Sequence, residues 1–288
     1  MSRVRSSSRL FTLVVYLVMI FTVAVCLIPL LYMAALSISS PKAIINNEVF
    51  LIPKGITFES YAKIFTYPNF FRDYGNTFFY TFAGTAISLA LMIVFAYPLS
   101  KPRLKGTRGV MKLVIFSMFF SGGLIPNYLL ISSLRLTNTR WAMLLPFAIN
   151  QFNLILLINF FKTIPADLEE AAIIDGLDWM GILLKIILPL SGAALATVGL
   201  YTAVFFWNDW FHGLIYLKSS QFPVMLFLRN IVTGTSMVGD AAGAGDKSTI
   251  AISIKSAVIV TSTLPIIVLY PFLQRYFVKG VMIGAVKG

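Results

Sequence analysis

The only histidine in the sequence, His212, stands three residues after Asp209. An Asp–His pair at that spacing could serve general-base catalysis. No serine in a recognisable nucleophile elbow accompanies it. With Trp207 and Trp210 beside it, the pair reads better as a polar cluster at a membrane interface. One histidine and one cysteine, Cys26 inside an apolar run, leave no disulfide framework and no metal ligand set to build within the chain. Gly243-Ala-Gly-Asp-Lys-Ser-Thr249 looks like a phosphate-binding loop only superficially, because Asp246 separates Gly245 from Lys247. Five of the eleven acids, Asp167, Glu169, Glu170, Asp175 and Asp178, gather in residues 163–190. That cluster is the most informative stretch of the chain.

The elements that must position these groups follow from composition. The 288 residues are 58% hydrophobic and 12% charged, with a mean hydropathy of +0.85. A soluble chain carries roughly 45–50% apolar and about 25% charged residues, so an ordinary soluble enzyme, a disordered chain and a disulfide scaffold are all excluded. The net charge of +12 is spread between apolar runs rather than clustered for phosphate binding, so no nucleic-acid partner is expected. A polytopic all-α membrane protein remains, read as one membrane domain over 1–288.

Spans of about 20 apolar residues fall at Phe11–Leu36, Asn76–Ser100, Val110–Ile131, Trp141–Phe161, Ile182–Phe206 and Ile250–Leu273. The first follows Arg3 and Arg5 but is too long for a signal-peptide core, so it reads as an uncleaved helix. Six spans put both termini on one side. The N-terminus, the connection with Lys101, Arg103, Lys105, Arg108 and Lys112, and the C-terminus are short and basic, which places them in the cytoplasm. Outside lie 37–74, expected to be a structured cap, a short 132–140, and 213–249, whose small-residue stretch Gly234–Asp246 predicts a mobile loop. Prolines 29, 98, 126, 146, 189 and 265 fall inside the spans and bend helices.

The segment 163–190 is not membrane-like. Pro165 suits a helix start, and Asp167, Glu169 and Glu170 favour the positive helix end. Gly176 can end the helix in the left-handed conformation, and Asp178 can cap a second helix running into the fifth span. Two short helices on a glycine hinge, continuous with a span, can pass force from a cytoplasmic partner into the membrane.

These residues carry a resemblance. Glu170-Ala171-Ala172, three residues, Gly176, nine residues, then Ile186-x-Leu188-Pro189 resembles the coupling (EAA) loop of binding-protein-dependent ABC importer permeases. Phe120-Ser-Gly-Gly-Leu-Ile-Pro-Asn-Tyr128, Trp207-Asn-Asp-Trp210 and Lys279–Gly288 are similar to the carbohydrate, maltose-permease-like branch, in its oligosaccharide and polysaccharide subgroup. The resemblance implies the six-helix type I importer fold, in the bacterial plasma (inner) membrane. It also implies partners: a second homologous permease, two ATPase subunits, an extracytoplasmic solute-binding protein and a sugar substrate. ATP and Mg would sit on the ATPase, and this chain would bind no cofactor and no metal and catalyse no covalent step. Carried over, Glu170, Ala171, Ala172, Asp175 and Gly176 would dock the ATPase. The 234–246 stretch sits where a related subunit reaches the binding protein, and Met282–Gly288 near the ATPase interface.

For the substrate pathway, amides inside spans are costly and often functional. Asn150, Asn153 and Asn208, with Gln151 and Asn159 beside them, could hydrogen-bond sugar hydroxyls, and Tyr128, Tyr201 or Trp207 could stack on sugar faces; interhelical hydrogen bonding is the alternative use of the amides. The surplus of basic residues would suit a uronate-containing substrate, and membrane-flanking charge explains it equally well. The competing class, an ion-coupled secondary transporter, requires ionisable groups buried mid-span. Asp209 and Lys255 lie only near span ends, and that class leaves the acidic segment without a use. Dependence on a separate ATPase discriminates the two.

Overall fold

The computed structural model describes residues 2–233, 252–269 and 271. These residues are helical, with no strand among them. They fall into two compact units: 2–70 with 228–233 and 252–264, and 71–227 with 265–269 and 271.

In the first unit, α1 (Ser2–Ser37) carries a 27-residue apolar stretch from Phe11. From Phe11 to Leu31 its side chains are exposed apart from half-buried Ala24, as suits a helix meeting lipid or another subunit. Its end packs Ala35 and Leu36 against Ala43, Ile44 and Val49. Ser40 caps α2 (Pro41–Ile45), accepting from the Ala43 N–H at 3.4 Å, with Pro41 at the first position. The Ser40 N–H donates to Lys54 O at 3.0 Å and the Thr57 N–H to Ile38 O at 2.9 Å. With α3 (Glu59–Phe65), these bonds make 37–65 an ordered segment.

The second unit is organised around α4 (Phe70–Leu99), a single helix of 30 residues with Pro98 near its end. α5 (Thr107–Phe119) and α6 (Leu124–Ser133) meet at 117°. The corner is made by Gly123, at φ +89° and ψ 173°, a region open essentially to glycine alone. α7 (Trp141–Leu144) is a single turn, and α8 (Gln151–Phe161) begins seven residues later. α9 (Ala166–Ile174) and α10 (Trp179–Ile182) follow. A π-helical turn, Leu183–Ile187, leads into α11 (Leu188–Leu190) and α12 (Gly192–Asn208). α13 (Phe211–Tyr216) lies within this unit, and α14 (Val224–Thr233) leads from it into 228–233 of the first. The last helix among the described residues, α15, is Ile252–Leu269, whose residues to 264 belong to the first unit.

Three helices are long and apolar enough alone to cross a membrane: Phe11–Ser37, Phe70–Leu99 and Ile252–Leu269. Two bent pairs, Thr107–Phe119 with Leu124–Ser133 and Trp179–Leu190 with Gly192–Asn208, bring the number to five among the described residues. The expected span Trp141–Phe161 is not one helix. Pro146 has no N–H to continue the ladder, and Asn150 is extended at φ −88° and ψ 123°, its side chain capping α8 through the Asn153 N–H at 3.0 Å. The expected rigid continuity from the second cytoplasmic helix into the fifth span is also corrected: the chain bends by 82° at Ser191. Pro189 removes one backbone donor there, and the π-turn just before it widens the helix.

An apolar core joins α4, α8, α9 and α12. Met92, Ala96, Tyr97 and Leu99 of α4 pack with Leu154, Leu157, Ile158 and Phe161 of α8, Ala172 of α9, Ile182, Leu183 and Ile187, and Ala194 and Val198 of α12.

Candidate functional site

The acidic segment folds as two short helices, as its residues predict. Pro165 sits one residue before the first helical position, at φ −56° and ψ 133°. At the other end Gly176 adopts φ +83°. Its N–H donates to Ile173 O at 3.0 Å and the Leu177 N–H to Ala172 O at 2.9 Å, the pattern of a Schellman cap. Asp178 then caps α10, accepting from the Gly181 N–H at 2.8 Å.

The two faces of α9 differ. Glu169 and Ala172 turn inward and are buried. Ala172 therefore lets α9 lie close on the chain's own core. Glu170, Ala171, Asp175 and Gly176 are exposed. Around them stand exposed apolar side chains that the sequence did not single out: Ile173, Ile174, Trp179 and Met180, with Ile174 at 86% exposure. Such an apolar patch beside a charged group is what a partner surface needs.

Both inward and outward carboxylates find bases in the 100–106 connection. Lys101 Nζ pairs with Glu169 Oε1 while lying 4.6 Å from the centre of the Tyr97 ring. Arg103 Nη2 donates to Glu170 Oε1 at 2.9 Å. The two connections therefore lie on one side of the molecule. The signal available in the sequence was complementary charge, five bases in 101–112 against five acids in 163–190. Spacing within either segment could not show that they meet.

A cavity of about 530 Å³ opens beside the α7–α8 break. Asn150, Gln151 and Asn153 line it with Ser88, Tyr201 and Thr202. Phe147, Phe152 and Phe205 supply ring faces, and no charged side chain lines it. Pro146, Phe147, Ile149 and Asn150 of the break all line the cavity, so the non-helical backbone there faces this space. Asn153 is buried and its amide lies 3.4 Å from Thr202 Oγ1, a long interhelical hydrogen bond. Asn150 Oδ1 is engaged in the α8 cap.

Three of the six expected pathway residues, Asn150, Asn153 and Tyr201, thus share one cavity. The other three lie outside its lining. Tyr128 stacks on Tyr216, with ring centres 6.2 Å apart. Trp207 is buried edge-on to Phe78 at 5.3 Å. Asn208 donates to Val204 O at 2.9 Å. The Asp209–His212 pair is structural: Asp209 accepts from the His212 N–H at 3.1 Å and contacts its Nδ1 at 2.9 Å. The imidazole in turn lies 4.1 Å from the Phe147 ring and so supports one wall of the cavity. Burial, and then the Asp209 carboxylate, push the nearby Tyr216 phenol up from its ordinary pKa. The 234–246 stretch and Met282–Gly288 lie outside the described residues.

Known proteins resemble this chain over nearly its whole length. No family model matches the sequence. Protein LplC of Bacillus subtilis is 44% identical over 270 residues, 92% of this chain and 90% of that protein. The B. subtilis polygalacturonan/rhamnogalacturonan transport system permease protein YtcP is 40% identical over 284 residues, 98% of this chain and 99% of that protein. In the crystal structure of a bacterial ABC transporter involved in the import of the acidic polysaccharide alginate, one chain matches with a TM-score of 0.85 and 34% identity, over 96% of this chain and 99% of that one.

Proposed function

This chain belongs to the carbohydrate branch of the binding-protein-dependent ABC importer permeases, and from that premise we propose how it works within an importer. It is a permease subunit, a multi-pass protein of the bacterial inner membrane, and not itself an enzyme. In our reading it crosses six times with both termini in the cytoplasm, the broken α7–α8 region supplying the fourth crossing. One such chain forms half a pathway, completed by a second, homologous permease. Two ATPase subunits hold ATP and Mg and do the hydrolysis, and a solute-binding protein delivers substrate from outside.

The observation that carries the coupling role is the exposed ridge of α9 and α10. Glu170 and Ala171 stand outward on it, flanked by Ile174, Trp179 and Met180, while Gly176 fixes the turn. This ridge docks the ATPase, and Glu170 exchanges its exposed Arg103 partner for a base on that subunit.

The substrate is a uronate-containing oligosaccharide, a reading supported by the polygalacturonan and alginate named for the two relatives. The uncharged cavity of this chain takes the hydroxyls and ring faces of the sugar through Asn150, Gln151 and Tyr201. Its carboxylates are read elsewhere in the complex.

The test is affinity purification of the tagged chain from native membranes, with Glu170→Ala and Gly176→Pro alongside. Wild type should bring a second permease and an ATPase, and the variants should lose or loosen the ATPase. A wild-type chain that purifies alone and carries oligogalacturonide in proteoliposomes without ATP would overturn the reading.

A further inference from the structure

The Lys101–Glu169 pair is unlike the other lysine and arginine ion pairs among the described residues. Its side chains are only 18% and 11% exposed. Arg103 and Glu170, two residues and one residue further along their segments, are 85% and 53% exposed. A shielded pair adds little net stability over an apolar contact, yet removing one partner strands a buried charge. Its use is to hold one arrangement. Here it holds the first turn of α9 against the end of α4, with the Lys101 ammonium seated over Tyr97. One turn further, Ala172 enters the same core as Met92, Ala96 and Leu99 of α4. Helix α9 is therefore tied by one ion pair to the residue just beyond α4 and shares the apolar core that α4 enters.

The covalent route from α9 to α12 is built differently. It passes the left-handed Gly176, the π-turn at Leu183–Ile187 and the 82° bend at Ser191. The α10–α11 segment and α12 share the apolar core of α4, so what sets the α4 side apart is a direct, shielded side-chain ion pair, where the route to α12 runs through three turns of backbone.

We propose that the Glu169–Lys101 pair is the strut through which α9 moves α4, so that both are positioning residues of the transport cycle. This rests on the reading of α9 as the ATPase-docking element. The test uses the whole importer, with Cys26→Ser to remove this chain's one thiol and the partner subunits likewise made cysteine-free. Spin labels are placed at Asp167 and Val94 to report α9 against α4, and at Asp167 and Leu200 to report α9 against α12. Distances are measured without nucleotide and after trapping with ATP and vanadate, so no sugar is required.

In the wild-type background the α9–α4 distance should stay single and fixed while the α9–α12 distance shifts. Glu169→Gln should broaden the α9–α4 distribution with the ATPase still bound, and the exchange Lys101→Glu with Glu169→Lys should narrow it again. Simple misfolding would not be cured by the exchange. If the α9–α4 distance shifts on trapping as far as α9–α12, or if Glu169→Gln leaves it sharp, the strut is wrong although α9 still docks the ATPase. If no ATPase accompanies the wild-type chain, the docking reading falls and takes the strut with it.

Discussion

The two ends of α4 grip their neighbours by different chemistry. Near its start, Arg72 donates to Ser219 O at 2.7 Å, Asn76 to Ser220 O and Phe222 O at 3.2 Å each, and the Tyr80 hydroxyl to Gln221 O at 2.8 Å. Thr77 Oγ1 accepts from the Val224 N–H at 2.8 Å, and Arg140 donates to Asn76 Oδ1 at 3.3 Å. Each of these hydrogen bonds to 219–224 falls on backbone, so this polar grip does not depend on which side chains the loop carries. At the far end α4 and the residue after its cap meet α9 side chain to side chain, through Lys101 and Glu169. A backbone grip fixes a shape. A side-chain grip can be tuned, exchanged or broken, which is what a surface facing a moving partner requires.

The contrast makes ordered predictions. Ala172→Trp should be the most damaging, because the site is 3% exposed and closes α9 onto the core; overpacking should cost about 3 kcal/mol, read as a lower Tm in detergent together with loss of the ATPase. A Tm equal to wild type would mean that α9 is not clamped. Asn76→Ala should cost about 2 kcal/mol, since two carbonyls and Arg140 lose their partner in a buried place. Ser219→Ala with Ser220→Ala should leave Tm unchanged, because α4 uses only their carbonyls. Equal losses from the two experiments would erase the distinction between the ends. Arg103→Ala should change stability least, by no more than ~0.5 kcal/mol, because its pair with Glu170 is exposed and screened; Tm compared at low and high salt is the check.

Much of the 163–190 segment was legible because its structure is local. Gly176 needs a left-handed residue, Asp178 needs a free N–H two or three residues on, and both requirements can be read within ten positions. The bent and broken spans were less legible. Pro146 and Gly123 are visible as breakers, but apolar content alone draws a continuous span across either. What turns 141–161 into a cavity wall is the Asn150 cap, and an amide in an apolar run reads equally well as an interhelical bond. The ion pairs were illegible for a different reason: Lys101 and Glu169 are 68 positions apart, and nothing local joins them. The inward turn of Ala172 was equally hidden, because a small residue in a surface helix suits either face until the core behind it is known.

Arg103–Glu170 and Lys101–Glu169 tie together two stretches that an engineer would treat as separate modules. A 163–190 segment grafted from a permease with another residue at 169 meets a receiver still carrying Lys101. Such a chimera inherits a mismatched seat even when the graft suits its new ATPase perfectly. The transplantable unit is therefore discontinuous, 100–106 together with 163–190, and retargeting this permease to another motor means moving both pieces at once.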